Sequence, residues 1–498
     1  MKKISFKITA LTLAAGLIIG GTGCDKIKDF GTTNVNPLVT QDPIPSALLT
    51  NVEAGLGAYA TQTQPGYYVQ YFAENQYATT SLYSSPIADF AGSYSGSLYD
   101  LQNIINYNSD PKTASTAGNY GSNNNQIATA RILKQYIFWN ITDRWGDIPY
   151  TEALQGVTPN YTKQQDIYKG MIAELKAAVA QFDGGNGPKG DIIYNGNVAQ
   201  WKKLANSMRM LMALRLSKRF PNAGDYSATE FAAAVADPAG HIVNNADNMI
   251  LAYPGGAYSN PWYNFYVISS RKDYAVSKTF TDLMTGLGDV RNQQFGGIAA
   301  GTVYGVSLTS PPNPFDTVMN AKYRAAAAPV FIIRASSVLL AKAEAAERGW
   351  ITGGSATAQT YYESGVTASF TQWDHTAVEA ASYYNSPTVK YGSGTGVASI
   401  GGSTVPGSNA VTTTNLQRIA LQRYIAYFPD GAQGWAEWRR TGIPDVKPTI
   451  NAVNTGKQIP RRYTYGQSEY STNPTGVAEG IATLTGGDTQ DAHVWWDL

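Results

Sequence analysis

The stretch "NVAQWKKLANSMRMLMALRLSKR", residues 197–219, is the clearest helix in the chain and decides the kind of fold. Its apolar residues recur at the spacing of one face of an α-helix. They are Trp201, Leu204, Met208, Leu211 and Met212. Asn197 and Gln200 are suited to cap its first turn. A helix with one apolar face must pack against another element, so this stretch predicts a core built from helices.

The same helical periodicity recurs on both sides of this stretch. It marks residues 46–60, 128–143, 166–182, 276–287, 329–349, 357–370 and 413–428. The motif "SATE" at 227–230 has the form of a capping box. Alanines at points of close approach in "LLAKAEAAERGW", residues 339–350, resemble the packing of tetratricopeptide units. We therefore predict a mainly α fold, a tetratricopeptide-like helical-repeat domain whose long irregular loops carry the ligand site.

Segments rich in glycine, serine, asparagine and tyrosine separate the predicted helices. They span 61–126, 253–274, 291–320 and 383–412. Such segments are too long to serve only as connections within a compact domain. Because binding residues concentrate on loops held by a rigid scaffold, we expect the functional residues in these segments.

The N-terminus has the layout of a bacterial secretion signal. Lysines at positions 2, 3 and 7 precede an apolar run over 8–19, and Cys24, the only cysteine among 498 residues, follows it. The run is shorter than the roughly 20 residues that a membrane-spanning helix needs. A single cysteine excludes a disulfide within one chain. The boundary resembles a bacterial lipobox, which implies acylation of the Cys24 sulfur.

This boundary divides the chain into three predicted parts. A lipoprotein signal peptide covers 1–23, a lipidated tether covers 24–44, and a single helical domain covers 45–498. More than one acyl chain gives stable anchoring where one chain is marginal. The sequence thus predicts a lipid-anchored protein.

The composition favours a folded protein that binds polar, uncharged molecules. The chain is 43% hydrophobic and 15% charged, with 33 Tyr and 10 Trp, which is typical of a globular protein. A net charge of +1 gives no electrostatic case for nucleic acid. Aromatic faces beside amides and hydroxyls suit glycans.

The sequence lacks the usual parts of an active site, and we predict no catalytic residue. His241, His375 and His493 are far apart, and neither an HExxH nor a GxSxG motif occurs. "GNGPKG" at 185–190 follows a helix, so we interpret it as a capping loop. The acidic stretch 183–191 lacks EF-hand spacing, so no metal or cofactor is predicted. A carboxylate pair for glycoside hydrolysis and a purely structural surface lipoprotein remain open alternatives.

Six motifs resemble the SusD/RagB family, in its SusD-like nutrient-binding lipoprotein branch. They are "DRWGDIPYTEAL" (143–154), "GDIIYNGNVAQWKKLANSMRMLMALRLSKR" (190–219), "SSRKDYAVSKTFTDLMTGLGDVRN" (269–292), "LLAKAEAAERGW" (339–350), "RIALQRYIAYFPDGAQGWAEWRRTGIP" (418–444) and "HVWWD" (493–497). The resemblance implies an outer-membrane lipoprotein on the cell surface that captures oligosaccharide or another nutrient. It also implies four tetratricopeptide-like units and a TonB-dependent SusC-like barrel as partner.

Positional analogy with that family implies a ligand site made by segments 67–85 and 258–274. The candidate ligand-binding residues are Asn75, Gln76, Tyr77, Tyr83, Trp262, Tyr263, Tyr266 and Arg271. Trp262 follows a proline in a stretch without a helical apolar stripe, so it is either a stacking platform for a sugar or a ring packed within its loop.

Two aromatic motifs are expected to serve packing. Trp435, Trp438 and Arg439 fall on one helix face, where a guanidinium stacked on an indole and a buried ion pair are the natural arrangement. Trp495 and Trp496 are expected to hold the C-terminal tail on the body of the protein, because a free tail would leave two indoles in water.

Overall fold

A computed structural model describes residues 43–74, 77–85, 88–155, 158–271, 274–296, 301–306, 318–393 and 414–498. Residues Ile44–Leu498 form one unit by their mutual contacts. The predictions for Cys24, the signal peptide and the tether up to residue 42 lie outside the described residues, as do Asn75 and Gln76. Within the described ranges, no helix is both long enough and apolar enough to cross a membrane.

The described residues are mainly helical, as the periodicity predicted. The helices of eight or more residues are α1 Pro45–Gly55, α2 Tyr99–Ser109, α3 Asn123–Trp145, α4 Gln164–Gln181, α5 Val198–Arg215, α6 Tyr226–Ala236, α7 Lys278–Leu287, α8 Ala335–Glu347, α9 Gly354–Gln372, α10 Ala377–Tyr384, α11 Asn415–Tyr427, α12 Gly431–Thr441 and α13 Pro474–Ala482. The strands are β1 Phe72–Glu74, β2 Ile148–Pro149, β3 Tyr161–Thr162, β4 Met249–Leu251, β5 Tyr274–Val276 and β6 Val330–Ile333.

Helices that follow one another in the chain pack as pairs. α3 packs on α4, α5 on α6, α8 on α9 and α11 on α12. Contacts of α4 with α5 and of α8 with α11 join these pairs to one another. This is the helical-repeat architecture that the alanine-rich pairs predicted.

Helix α5 is the centre of this packing. Asn197 accepts a hydrogen bond from the backbone N–H of Gln200, 3.2 Å away, and so caps the helix as predicted. The five apolar residues of the predicted face are all buried, and Met210 and Leu214 on other faces are buried too. Because α4, α6 and α8 all pack on α5, this helix is enclosed on several sides. More of it is buried than the single apolar face in the sequence predicted.

Some predicted helix boundaries are wrong. The segment 329–349 begins as strand β6, which pairs antiparallel with β4, and only then becomes α8. The first helix is interrupted at Leu56. "SATE" is not a capping box: α6 begins at Tyr226, after Asp225, so Ser227 lies inside the first turn and is buried. Segment 61–126 is not one loop, because it holds α2, β1 and the start of α3.

The two motifs expected to pack do so. The guanidinium carbon of Arg439 lies 3.7 Å from the ring centre of Trp435, and Trp438 is buried on the same helix. Trp496 is fully buried in the turn Trp495–Asp497, beneath the guanidinium of Arg439 at 4.7 Å. The predicted ion pair is made by the neighbouring Arg440, which contacts Glu437 and Glu344 at 2.6 Å.

Candidate functional site

A two-stranded sheet brings the two predicted binding segments together. Strand β1 pairs with β5 antiparallel, with Phe72 opposite Val276 and Glu74 opposite Tyr274. In an antiparallel pair, the end of one strand lies beside the start of the other. The loop that follows β1 and the loop that leads into β5 therefore emerge at the same end of this sheet.

The loop after β1 is fastened to Glu74. One oxygen of the Glu74 carboxylate accepts hydrogen bonds from the backbone N–H groups of Thr80 and Ser81, both at 3.0 Å, and from the Ser81 hydroxyl at 3.2 Å. Burial raises the pKa of Glu74, and these donors partly offset that rise. The loop is thus held close to the strand while Tyr77 stands 60% exposed at its start.

The loop before β5 is held in an unusual helical form. The side chain of Asn260 accepts a hydrogen bond from the backbone N–H of Trp262 at 2.8 Å and so caps a short helical turn, Pro261–Tyr263. A π-helical turn, Asn264–Ile268, follows. Single π turns are frequent at functional sites. This turn leaves Ile268 68% exposed.

Aromatic, aliphatic and cationic groups meet at the surface of this loop. The ring of Tyr274 lies 5.5 Å from that of Phe265, and the guanidinium carbon of Arg271 lies 5.1 Å from the Tyr274 ring centre. Phe265 and Tyr274 are partly exposed, and Arg271 is exposed. We use the name β1–β5 face for the exposed or half-exposed residues of the two loops that meet the paired ends of β1 and β5, which are Tyr77, Phe265, Ile268, Arg271 and Tyr274. Such a surface offers ring faces to sugar C–H groups and donors to sugar hydroxyls.

Trp262 lies beneath this face and not on it. Its side chain is 1% exposed, and its ring packs edge to face against Phe72 at 5.4 Å and Phe265 at 5.6 Å. An indole enclosed in this way has no exposed face for a sugar, so of the two alternatives that the sequence left open for Trp262, the structure favours packing within the loop.

Two further predicted residues, Tyr83 and Tyr266, are also buried. Tyr83 is buried, which raises the pKa of its phenol to about 12, and its oxygen accepts a hydrogen bond from the Thr449 N–H at 3.3 Å. The Tyr266 hydroxyl donates to the carbonyl of Tyr274 at 2.6 Å. The Tyr266 hydroxyl thus ties its buried ring to the backbone of Tyr274 in the face, whereas Tyr83 packs against Tyr68 and Tyr304. Tyr263 is half-buried in the turn beside Trp262.

A second aromatic surface was missed by the sequence analysis. Tyr253 and Tyr258 border a groove of about 570 Å³, with Ile192 and two residues of α1, Thr50 and Asn51, on its other side. Tyr258 is 69% exposed. We call this the aromatic groove. Its volume is in the range of small-ligand sites. The loop 253–274 was expected to be functional, but nothing in the sequence indicated that α1 and Ile192 lie opposite it.

Comparison with known proteins gives concordant results. A family model described as "Starch-binding associating with outer membrane" matches residues 37–466. A solved chitin-binding SusD homologue from Flavobacterium johnsoniae is 25% identical, with a TM-score of 0.74 over 91% of this chain and 98% of its own. A solved chitin-binding protein is 26% identical, with a TM-score of 0.73 over 91% of this chain and 100% of its own. A SusD homologue from Bacteroides thetaiotaomicron is 26% identical, with a TM-score of 0.72 over 91% and 99%. No curated protein matches significantly.

Proposed function

This chain belongs to the SusD-like family of starch-binding, outer-membrane-associated proteins, and from that membership we propose that it is a surface lipoprotein that binds glycan for import. In this proposal the lipid on Cys24 holds it to the outer membrane, and the bound oligosaccharide passes to a TonB-dependent SusC-like barrel. The observation that supports the proposal is the pairing of β1 with β5, which brings the ends of two aromatic-rich loops to the same end of one sheet.

The chemistry of the β1–β5 face supports a neutral, polar ligand. Its exposed groups are aromatic rings, an aliphatic side chain and one guanidinium. Rings bind the C–H faces of sugars, and the guanidinium offers several donors in a fixed geometry to hydroxyl oxygens. Two of the similar solved structures are described as chitin-binding, so chitin oligosaccharides are the first ligands to test, with starch oligosaccharides second.

We propose binding without hydrolysis. The similar solved proteins whose ligand is named are described as binding proteins. Aromatic surfaces of this kind occur in glycan binders and in glycosidases, so the distinction requires a direct measurement. Incubation of the purified protein with chitin and starch should release no reducing sugar. Release above the buffer blank would favour the hydrolase alternative.

The decisive experiment is calorimetric titration of oligosaccharides into the protein and matched variants. Tyr77→Ala should weaken binding by about 1.5–3 kcal/mol if its ring is buried by the ligand, and Arg271→Ala by about 1–3 kcal/mol. Tyr99→Ala is the control, because Tyr99 is also exposed but lies on α2, outside the face. Unchanged affinity in both face variants would contradict this site. A loss confined to Tyr258→Ala would move it to the aromatic groove.

The barrel partner has its own test. The helix pairs are the rigid part of the molecule and could supply the broad interface, above roughly 2,000 Å², that a permanent complex requires. Solubilisation of outer membranes in mild detergent should recover this chain together with a larger barrel protein. Recovery of the chain alone would contradict a stable complex.

A further inference from the structure

A small cavity is lined by two buried tryptophans, Trp262 and Trp373. Its volume is about 20 Å³, and its lining includes Trp262, Trp373, Arg334, Phe331 and Pro429. A cavity of this size has room for one occupant of about the size of a water molecule. The cavity adjoins the β1–β5 face, because Trp262 lines the cavity and its ring also packs against Phe265 of the face.

Both tryptophans carry a hydrogen-bond donor without a partner. Trp262 and Trp373 are each 1% exposed, and neither indole N–H has an acceptor among the residues that the structure describes. A buried donor left unsatisfied destabilises the folded state, and buried polar groups are normally paired. Because both residues line the cavity, an acceptor bound in it would satisfy these two donors.

The third polar group on the cavity is a buried cation. Arg334 is 2% exposed and donates hydrogen bonds to the carbonyls of Ala426 at 2.7 Å and Phe428 at 2.8 Å. It also donates to the carbonyl of Phe331 at 3.3 Å, so its hydrogen-bond acceptors among the described residues are backbone carbonyls and not carboxylates. Asp430 is the acidic group that most raises the pKa of Arg334, and burial raises the pKa of Asp430 itself and so opposes its ionisation.

We propose that this cavity binds one small monovalent anion of the halide class. A halide ion accepts hydrogen bonds and donates none, so it matches a lining whose unengaged groups are the two indole donors. The positive charge of the Arg334 guanidinium attracts the anion. The anion in turn compensates a buried cation, which is costly to leave unpaired. Asn260 also lines the cavity, but its side-chain amide is already engaged. It accepts a hydrogen bond from the backbone N–H of Trp262 and donates one to the carbonyl of Ala328.

The first test is crystallographic. Crystals of the full chain grown or soaked in sodium bromide should show one anomalous peak within hydrogen-bonding distance of both indole nitrogens. A cavity that is empty or holds only an ordinary water, with no anomalous peak at saturating bromide, overturns the proposal. This measurement needs no variant and so does not depend on a mutant that folds.

The second test is halide-dependent stability at constant ionic strength. Chloride replaces gluconate, which is too large for the cavity, and the thermal midpoint should rise saturably because a ligand bound only to the folded state stabilises it. Trp373→Phe should raise the half-saturating chloride concentration roughly tenfold or more, as expected for loss of a hydrogen bond to a charged group. Trp496→Phe is the matched control, because its buried N–H is also unpartnered among the described residues but lies outside this cavity. An equal chloride response in all three proteins overturns the proposal.

Discussion

Arg440 donates both terminal nitrogens to the two carboxylate oxygens of Glu344, each at 2.6 Å. This bidentate pair joins α12 to α8. Arg423 on α11 adds an ion pair to Glu437 at 3.1 Å, so α8 and both helices of the α11–α12 pair share one buried network. Burial opposes ionisation of Glu344, but the neighbouring arginines outweigh it and hold its pKa well below the ordinary value.

Removal of Arg440, the cation that contacts both carboxylates, should therefore strongly destabilise the folded protein. Arg440→Met leaves Glu344 and Glu437 buried without their main partner, and we expect a loss of about 3–5 kcal/mol in the free energy of unfolding. Urea denaturation measures it. The control is Lys322→Met, which removes an ion pair to Asp374 that is exposed on both sides and should cost at most about 1 kcal/mol. Similar losses in the two variants would contradict the argument.

Stability should fall on acidification through His241. Burial, and then the charge of Lys342 whose nitrogen lies 3.1 Å from the imidazole, lower the pKa of His241 from 6.5 to about 4. The unfolded chain therefore takes up a proton first, and stability that is complete above pH 6.5 is lost as the pH falls towards 4. Unfolding at pH 7 and pH 5 should show a larger loss in the natural protein than in His241→Gln. Equal losses would show that His241 does not contribute.

Trp262 should behave as a core residue. Because its ring is enclosed by Phe72 and Phe265, Trp262→Ala should cost about 3–5 kcal/mol and lower the thermal midpoint. Tyr77→Ala, at an exposed position in the same site, should leave the midpoint nearly unchanged. If Trp262→Ala kept its full stability but lost glycan binding, the stacking interpretation from the sequence would be restored.

One glycine sets how closely α12 approaches the N-terminal region. A Cβ at Gly431 would lie 2.2 Å from the backbone nitrogen of Gly66 and 2.5 Å from its Cα. Backbone cannot move aside as a side chain can, so Gly431→Ala should cost about 1–3 kcal/mol. Gly286→Ala on α7, where a Cβ meets open space, should stabilise by about 0.5–1 kcal/mol. Thermal denaturation of both variants measures the contrast, and equal shifts would contradict it.

The lipid anchor remains a prediction from the sequence. Cys24→Ala should abolish acylation and release the protein from membranes, because no other cysteine is present. Fractionation of cells and labelling of intact cells measure this. A Cys24→Ala protein that still sediments with membranes and is labelled from outside would contradict the anchor.

Helical periodicity predicted most of the fold because the long helices bury regular faces. It worked for α5, where Trp201 and Leu204 are core residues. It failed at β6, since the short apolar run "VFII" fits a buried strand as well as a helix, and only its pairing with Met249 and Leu251 of β4 decides between them.

The site was only partly predictable for a different reason. Composition and family analogy indicated two loops that the β1–β5 pairing brings to one end of a sheet, but the burial of individual aromatics depends on partners elsewhere in the chain. Trp262 and Tyr77 are both aromatic residues in polar loops, yet one packs on Phe72 and the other faces solvent. The long-range pairing of Glu74 with Tyr274 is the information that a single sequence does not contain.

That pairing also affects how the protein acquires its binding surface during folding. Glu74 and Tyr274 are partners although α2 to α6 lie between them in the chain, and contacts of such high sequence separation form slowly because a long loop must close first. The β1–β5 face should therefore appear late in folding, when the intervening helices have docked. A peptide excised from either loop would lack the face. A ligand of this surface would therefore bind the folded protein and not incompletely folded chains.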